Sequence, residues 1–362
     1  MHGSSLFLID AIKALASQLI VWHHFAVYSP MSDAVYPHAR GVIDWLYRDA
    51  RLAVQAFLVV GGFLAARSLA PQPDAVAESF ARNNLARRLW SRYLRLALPY
   101  VVALAFAIAC AAFARSLTGT HGMPAAPSVG QVAAHIFLLQ DIANVDVLSA
   151  GVWYVAIDFQ LYALLAVLLW WANRLAIAGG APVGRIAIIV CGTVAAISLF
   201  WLNRDRSLDL WGPYFFGAYG LGVLAQWASV STRKRWWLAG LALLAAAALA
   251  LDWRNRVLVA SVTALVLAGG AGAQVALRGL GGRIVEALGR ISYPLFLVHY
   301  PVSLVVGAVM LKLGSHGQAA NWTALCAAWV LSLGAGIVLQ RLTESGATRP
   351  ARQFAAGWAK AY

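Results

Sequence analysis

The sequence predicts an all-α fold, a polytopic membrane helix bundle of about ten transmembrane helices with its N- and C-termini in the cytoplasm. Three observations carry that prediction. The first is composition: 61% of the 362 residues are hydrophobic and 12% charged, with a mean hydropathy of +0.71, more apolar surface than one soluble core would bury. The second is spacing. Apolar runs of about 20 residues, each long enough to cross a hydrocarbon core about 30 Å thick as a helix, recur between short polar joints. The third is charge placement: from a cytoplasmic N-terminus, the inward-facing joints hold twice as many Lys and Arg as the outward-facing ones, alternating joint by joint in the positive-inside pattern. The net charge of +14 is therefore topological and does not point to nucleic acid.

The expected spans are residues 6–28, 46–69, 93–114, 152–172, 185–202, 210–228, 235–251, 256–276, 288–311 and 320–341. They form one domain over 1–345, with a short cytoplasmic tail at 346–362. The first run is a span and not a cleavable signal, because it is long, carries Lys13 and lacks a basic n-region and a small-residue cleavage site. The longest outward joint, 116–151, holds an apolar stretch from Ala133 to Leu139 that is too short to cross, so it is expected at the interface or dipping into the outer mouth. Cys110, Cys191 and Cys326 fall in three different spans and read as small buried hydrophobes. No metal site is expected.

Polar residues inside the spans mark the chemistry. Lys13 and His24 lie eleven residues apart, on one helix face and separated by about 16 Å of axis. A Lys near the middle of a membrane helix costs about 2.5–3.5 kcal/mol, so such a residue reads as functional. An imidazole at that depth can move a proton, and an ammonium can hold a carbonyl oxygen or carboxylate. The alternative is structural: Asp10 neutralises Lys13, and His23 or His24 bonds a neighbouring helix. Arg88, Arg92 and Arg95 share a face at the cytoplasmic start of the third span, a guanidinium cluster suited to a polyphosphate such as coenzyme A. The same run could instead set orientation or touch anionic lipid.

The fourth span begins Trp153-Tyr154-Val155-Ala156-Ile157-Asp158-Phe159-Gln160-Leu161-Tyr162. Tyr154, Asp158, Leu161 and Tyr162 share a face and Gln160 points the other way. Entering from outside, this span places Asp158 in the outer third at about the depth of His24, where a carboxylate would orient an imidazole; the alternative is a solvated interfacial acid. The second span offers Arg51 and Gln55 at its outer end and Gly61-Gly62 at mid-depth, where missing side chains admit a substrate or another helix. In the ninth, Ser292, His299 and Ser303 form a stripe, and Pro294 and Pro301 open carbonyls to neighbours or a cavity. His299 reads equally as a structural hydrogen-bond partner and as a site residue.

Taken in order, these segments resemble the membrane acyltransferase-3 family, ten-span O-acyltransferases of bacterial surface and periplasmic glycans. Ile9-Asp10-Ala11-Ile12-Lys13 followed by His23-His24-Phe25 is similar to its first-span Arg, ten residues, then His. Phe57 to Leu64 is similar to its second-span motif ending Ser-Gly-Phe-Leu, and Arg92-x-x-Arg95 with Pro99-Tyr100 to its basic lead-in to the third span. Trp153 to Tyr162 is similar to its Trp-x-x-x-x-Glu-x-Gln-x-Tyr segment, and Ile291-Ser292-Tyr293 with His299 to its late Ile-Ser-Tyr-x-x-Tyr-Leu-x-His. Each match is weak alone; five in register are strong. The chain departs from the pattern at Lys13 (Arg in the family), Gln55 (Asp), Gly61 (Ser) and Asp158 (Glu).

The resemblance implies an inner-membrane enzyme that moves an acyl group, acetyl being the expected one, from cytoplasmic acyl-CoA to a hydroxyl of an extracytoplasmic glycan or lipid-linked saccharide. It implies His24, Lys13 and Asp158 as catalytic residues and Arg88, Arg92 and Arg95 as the coenzyme A contacts, with Arg51, Gln55, Trp153, Tyr162, Ser292 and His299 facing substrate. The rival readings are a transporter of a lipid-linked or small anionic solute, using Lys, His and Asp as a proton relay, and a non-catalytic partner in a glycan export complex.

Overall fold

The structure, a computed structural model, describes residues 3–72, 74–75, 85–119, 122–270, 279–314 and 317–344. The tail at 346–362, Arg82 and His121 lie outside the described residues. The described chain is helical, with no strand: α1 (Gly3–Tyr28), α2 (Pro30–Arg48), α3 (Ala53–Leu69), α4 (Leu85–Thr118), α5 (Val129–Ile136), α6 (Trp153–Gly179), α7 (Val183–Phe200), α8 (Gly212–Val230), α9 (Lys234–Leu251), α10 (Asn255–Gly270), α11 (Leu280–Lys312) and α12 (Gln318–Glu344). Each of the ten expected spans contains a helix among its described residues. Among the described residues, seven stretches are long and apolar enough to cross a membrane: Pro30–Leu69, Leu85–Thr118, Trp153–Gly179, Val183–Arg204, Lys234–Leu251, Leu280–Lys312 and Gln318–Thr343. The chain is thus a multi-pass membrane protein.

The remaining three expected spans differ from these seven in identifiable ways. The α1 helix carries Asp10, Lys13, Gln18, His23 and His24. The α8 helix is glycine-rich and buried on every side from Tyr214 to Ala228, so protein rather than lipid surrounds it. The α10 helix is 16 residues long. Boundaries also shift. The expected second span loses its first residues to α2 and to a 3-10 turn at Ala50–Leu52, and the basic run before the third span is itself the start of the 34-residue α4.

The chain divides into two packing units. One comprises Met1–Lys13, Val54–Tyr93 and Ile157–Glu286. Its centre is α8, which packs against α7, α9 and α10. Gly62 of α3 lies so close to α8 that an added Cβ would stand 2.0 Å from the Tyr219 carbonyl oxygen, and one at Gly222 would stand equally close to that of Val59. Two small residues facing two backbones make a tight crossing of the kind used between membrane helices. Gly62 thus admits a helix, one of the two roles the sequence left open for it. Cations of an expected outward joint tie the same unit together: Arg254 donates to Asn203 Oδ1 (2.8 Å) and the Leu199 carbonyl (2.9 Å), and Arg256 to Tyr214 Oη and the Asn203 carbonyl.

The other unit comprises Ala14–Ala53, Leu94–Ala156 and Ala287–Tyr362. Its core joins Val21 and Phe25 of α1, Met31, Val35 and Ile43 of α2, Leu295 of α11 and Leu325 of α12. The α2 helix is kinked at Ala39 and is tied to α1 by Ser32 Oγ donating to the Phe25 carbonyl, 2.8 Å, and by His23 Nδ1 against the Leu46 carbonyl, 2.9 Å. After α4 the chain turns back along that helix. The α5 helix starts on a capping box between Ser128 and Gln131, and Asp141 comes within electrostatic reach of Tyr100, about 27 Å back along α4 from Thr118.

Candidate functional site

Two polar clusters are built within the bundle, one in each unit. The first centres on His24, four residues before the end of α1. Its Nδ1 lies 2.6 Å from Nε2 of His299 on α11, with the two rings stacked at 4.9 Å and 8°. Both residues are buried, His299 completely. His299 Nδ1 lies 3.2 Å from the Leu295 carbonyl one turn earlier. A carbonyl only accepts, so Nδ1 carries the proton in neutral His299 and its Nε2 is an acceptor. His24 therefore donates from Nδ1, and its lone pair sits on Nε2, the atom left for chemistry.

Aromatic rings surround this pair. Tyr28 lies 5.7 Å from His24 and 5.4 Å from Tyr300, while Phe296 stands between Tyr154 (5.7 Å) and His299 (6.1 Å). Gly151, at φ +78°, closes the cluster. A Cβ there would meet His24 Cε1 and the Phe296 ring at 3.0 Å, so the close approach and the left-handed backbone both require glycine. Ser292 donates its hydroxyl to the Gly289 carbonyl of its own helix, 2.9 Å. Trp153, half-buried at the start of α6, packs edge-on to Tyr154.

In the second cluster Arg92 Nη2 donates to Asp158 Oδ2 at 2.5 Å, and its guanidinium stacks on the Tyr162 ring at 5.1 Å, a pairing the sequence does not suggest. Asp158 is held by Arg92, and the partner of His24 is His299. Gly61 borders the pair, since a Cβ there would lie 3.4 Å from Asp158 Oδ1 and 3.3 Å from the Tyr219 ring.

Tyr219 is the residue that sequence reasoning missed. It is fully buried, its hydroxyl has no hydrogen-bond partner among the described residues, and it lies within electrostatic reach of Asp158, Arg92 and Tyr162. Its only signal in the sequence is a polar aromatic flanked by small residues in Gly217-Ala218-Tyr219-Gly220.

The other expected residues are dispersed. Lys13 pairs with Asp10 at 3.1 Å, both side chains partly exposed, which is the structural alternative for that residue. Arg88 donates weakly to the Ser68 carbonyl at 3.5 Å, and Arg95 is exposed two turns further along α4. Arg51 is exposed and donates to the Arg48 carbonyl, 3.1 Å; Gln55 is half-buried in α3. Gln160 faces away from Asp158 and holds the start of α8, accepting from the Gly212 amide at 2.7 Å. Among the described residues no group of three or more His, Cys, Asp or Glu gathers as metal ligands.

No curated protein and no solved structure matches the chain. A family model described as an acyltransferase domain matches residues 7–341, which takes in both clusters and all ten expected spans. That match covers nearly the whole chain, and the chain belongs to the acyltransferase-3 family.

Proposed function

We propose that the protein is an O-acyltransferase of the bacterial inner membrane that moves an acetyl group from cytoplasmic acetyl-CoA to a hydroxyl of an extracytoplasmic glycan or lipid-linked saccharide. The observation that carries this reading is the 2.6 Å contact between His24 and His299. His24 Nε2 takes the proton of the acceptor hydroxyl as its oxygen attacks the thioester carbonyl, and returns a proton to the departing thiolate. His299 holds the reactive tautomer, keeps its own proton on Nδ1, and takes none from the acceptor. Fixed dipoles in a dry aromatic site serve this better than water would.

Donor binding falls to the rest of the chain. Arg88 and Arg95, two turns apart on α4, are suited to the phosphates of coenzyme A, whereas Arg92 is already committed to Asp158. Lys13 and Asp158 act on the donor side as a charge near the inner surface and as the anchor of Arg92. Trp153 and Tyr154, next to the imidazole pair, suit stacking against a sugar ring. Arg51 and Gln55 are assigned to the acceptor side.

Membranes containing the protein, incubated with acetyl-labelled coenzyme A and the surface glycan fraction, test the reading. Label is expected in the acceptor. His24→Ala should lower kcat about 10²- to 10⁴-fold with normal insertion, and His299→Ala should lower kcat while leaving the KM for donor unchanged. Undiminished transfer by His24→Ala would remove the base from the scheme.

A further inference from the structure

The α9 helix opens with three consecutive cations, Arg233, Lys234 and Arg235, followed by Trp236 and Trp237. Lys234 is engaged, its Nζ donating at 2.7 Å to the Gly269 carbonyl at the end of α10. Arg233 instead borders a cavity of about 280 Å³ lined by Trp236, Trp237, Gly240, Leu241 and Leu244, with Leu224 of α8 behind them. Along α9 these residues recur at intervals of three and four, so they form one stripe. All but one of the lining groups are apolar or glycine, and the exception stands at one end.

Three features make this groove more than lipid-facing surface. Its length from Arg233 to Leu244 is about 16 Å of helix, close to half of a hydrocarbon core about 30 Å thick, so it is as long as one leaflet is deep. Gly240 opens its middle, because a Cβ added there would meet nothing within 4 Å. Its cationic end carries exposed Arg233 and Trp236, the residue types that sit at the headgroup level. The α9 helix is also the least buried of the seven candidate spans.

We propose that this groove is a binding site for one anionic phospholipid, the phosphate on the Arg233 guanidinium and an acyl chain along Trp237, Gly240, Leu241 and Leu244. Charge selects the headgroup, since a guanidinium binds a phosphate oxygen pair through a fork and a zwitterionic lipid brings a cation of its own. The site is independent of the imidazole pair. It requires only that α9 spans a bilayer.

Native mass spectrometry of the full chain, released from nanodiscs of mixed phosphatidylglycerol and phosphatidylcholine, tests it. One phosphatidylglycerol should be retained in preference to phosphatidylcholine. Arg233→Gln should weaken that preference about fivefold, the effect of one cation near an anionic surface. Gly240→Leu puts side-chain volume into the groove from a Cβ position that meets nothing within 4 Å and improves helix propensity, so it should abolish retention while leaving the melting temperature unchanged or higher. Equal retention of the two lipids, retention by Gly240→Leu at the original level, or a mass showing a second copy of the chain in place of lipid would each overturn the proposal.

Discussion

His24 and Asp158 show how far a residue's chemistry can be read before its neighbours are known. Both are polar groups at membrane depth, and both are buried beside a partner that satisfies them. The partners differ from those the sequence suggests: the imidazole has a second imidazole, and the carboxylate has a guanidinium. An Asp–Arg pair with side chains 7% and 21% exposed is costly to break, because one buried charge is left uncompensated. Asp158→Ala is therefore expected to destabilise the protein by about 3–5 kcal/mol, whereas Asp158→Leu combined with Arg92→Met, which removes both charges, should recover most of that loss. Melting of the detergent-solubilised variants measures this. If the double variant falls as far as the single one, the pair is not what holds Asp158 in place. The late His299 was legible as a polar residue on the Ser292 stripe, but its pairing was not, since 275 residues separate it from His24.

Among the elements, the joint after α4 is the one whose internal packing the sequence left most open. The sequence marks it as a long outward loop with a short apolar stretch expected at the interface or dipping into the outer mouth. In the structure the first half of that stretch belongs to α5, and His135 inside it is fully buried. His135 uses both ring nitrogens: Nδ1 donates to the Gln131 carbonyl, 2.8 Å, and Nε2 accepts from the Leu148 amide, 3.1 Å. Only the neutral ring can do both. Burial holds its pKa below the ordinary 6.5, against the opposing pull of the Gln131 carbonyl and Asp141. A His with a depressed folded pKa contributes stability that is complete above 6.5 and is lost as pH falls through the folded value. Asp141 runs the other way, its carboxyl raised above 3.8 chiefly by burial, so its neutral form is favoured as the solution becomes acidic. Hydrogen exchange at the Leu148 amide, corrected for intrinsic rate, is expected to quicken as pH falls below 6.5 and the ring gains its proton. An amide whose protection survives protonation of the ring, followed by NMR on the same sample, would refute this staple.

For the whole molecule, seven stretches among the described residues are long and apolar enough to cross a membrane, and the expected topology of ten spans with both termini in the cytoplasm rests on the charge bias of the joints. Reporter fusions at the two ends are expected to read out on the cytoplasmic side alike, and an extracytoplasmic C-terminus would require an odd count. The helices, their order and the membrane setting were legible because each depends on a local property, the apolar length and charge of one segment. Lys13, His24, Asp158 and Arg92 were legible as chemistry because a polar side chain within an apolar run is costly wherever it points. Which of them meet was decided only by tertiary structure: α4 against α6 sets Arg92 on Asp158, the α3–α8 crossing places Tyr219 beside them, and α1 against α11 joins two imidazoles. Hydropathy records how much water a segment avoids, not which neighbour replaces that water, and the choice of neighbour is what makes the site.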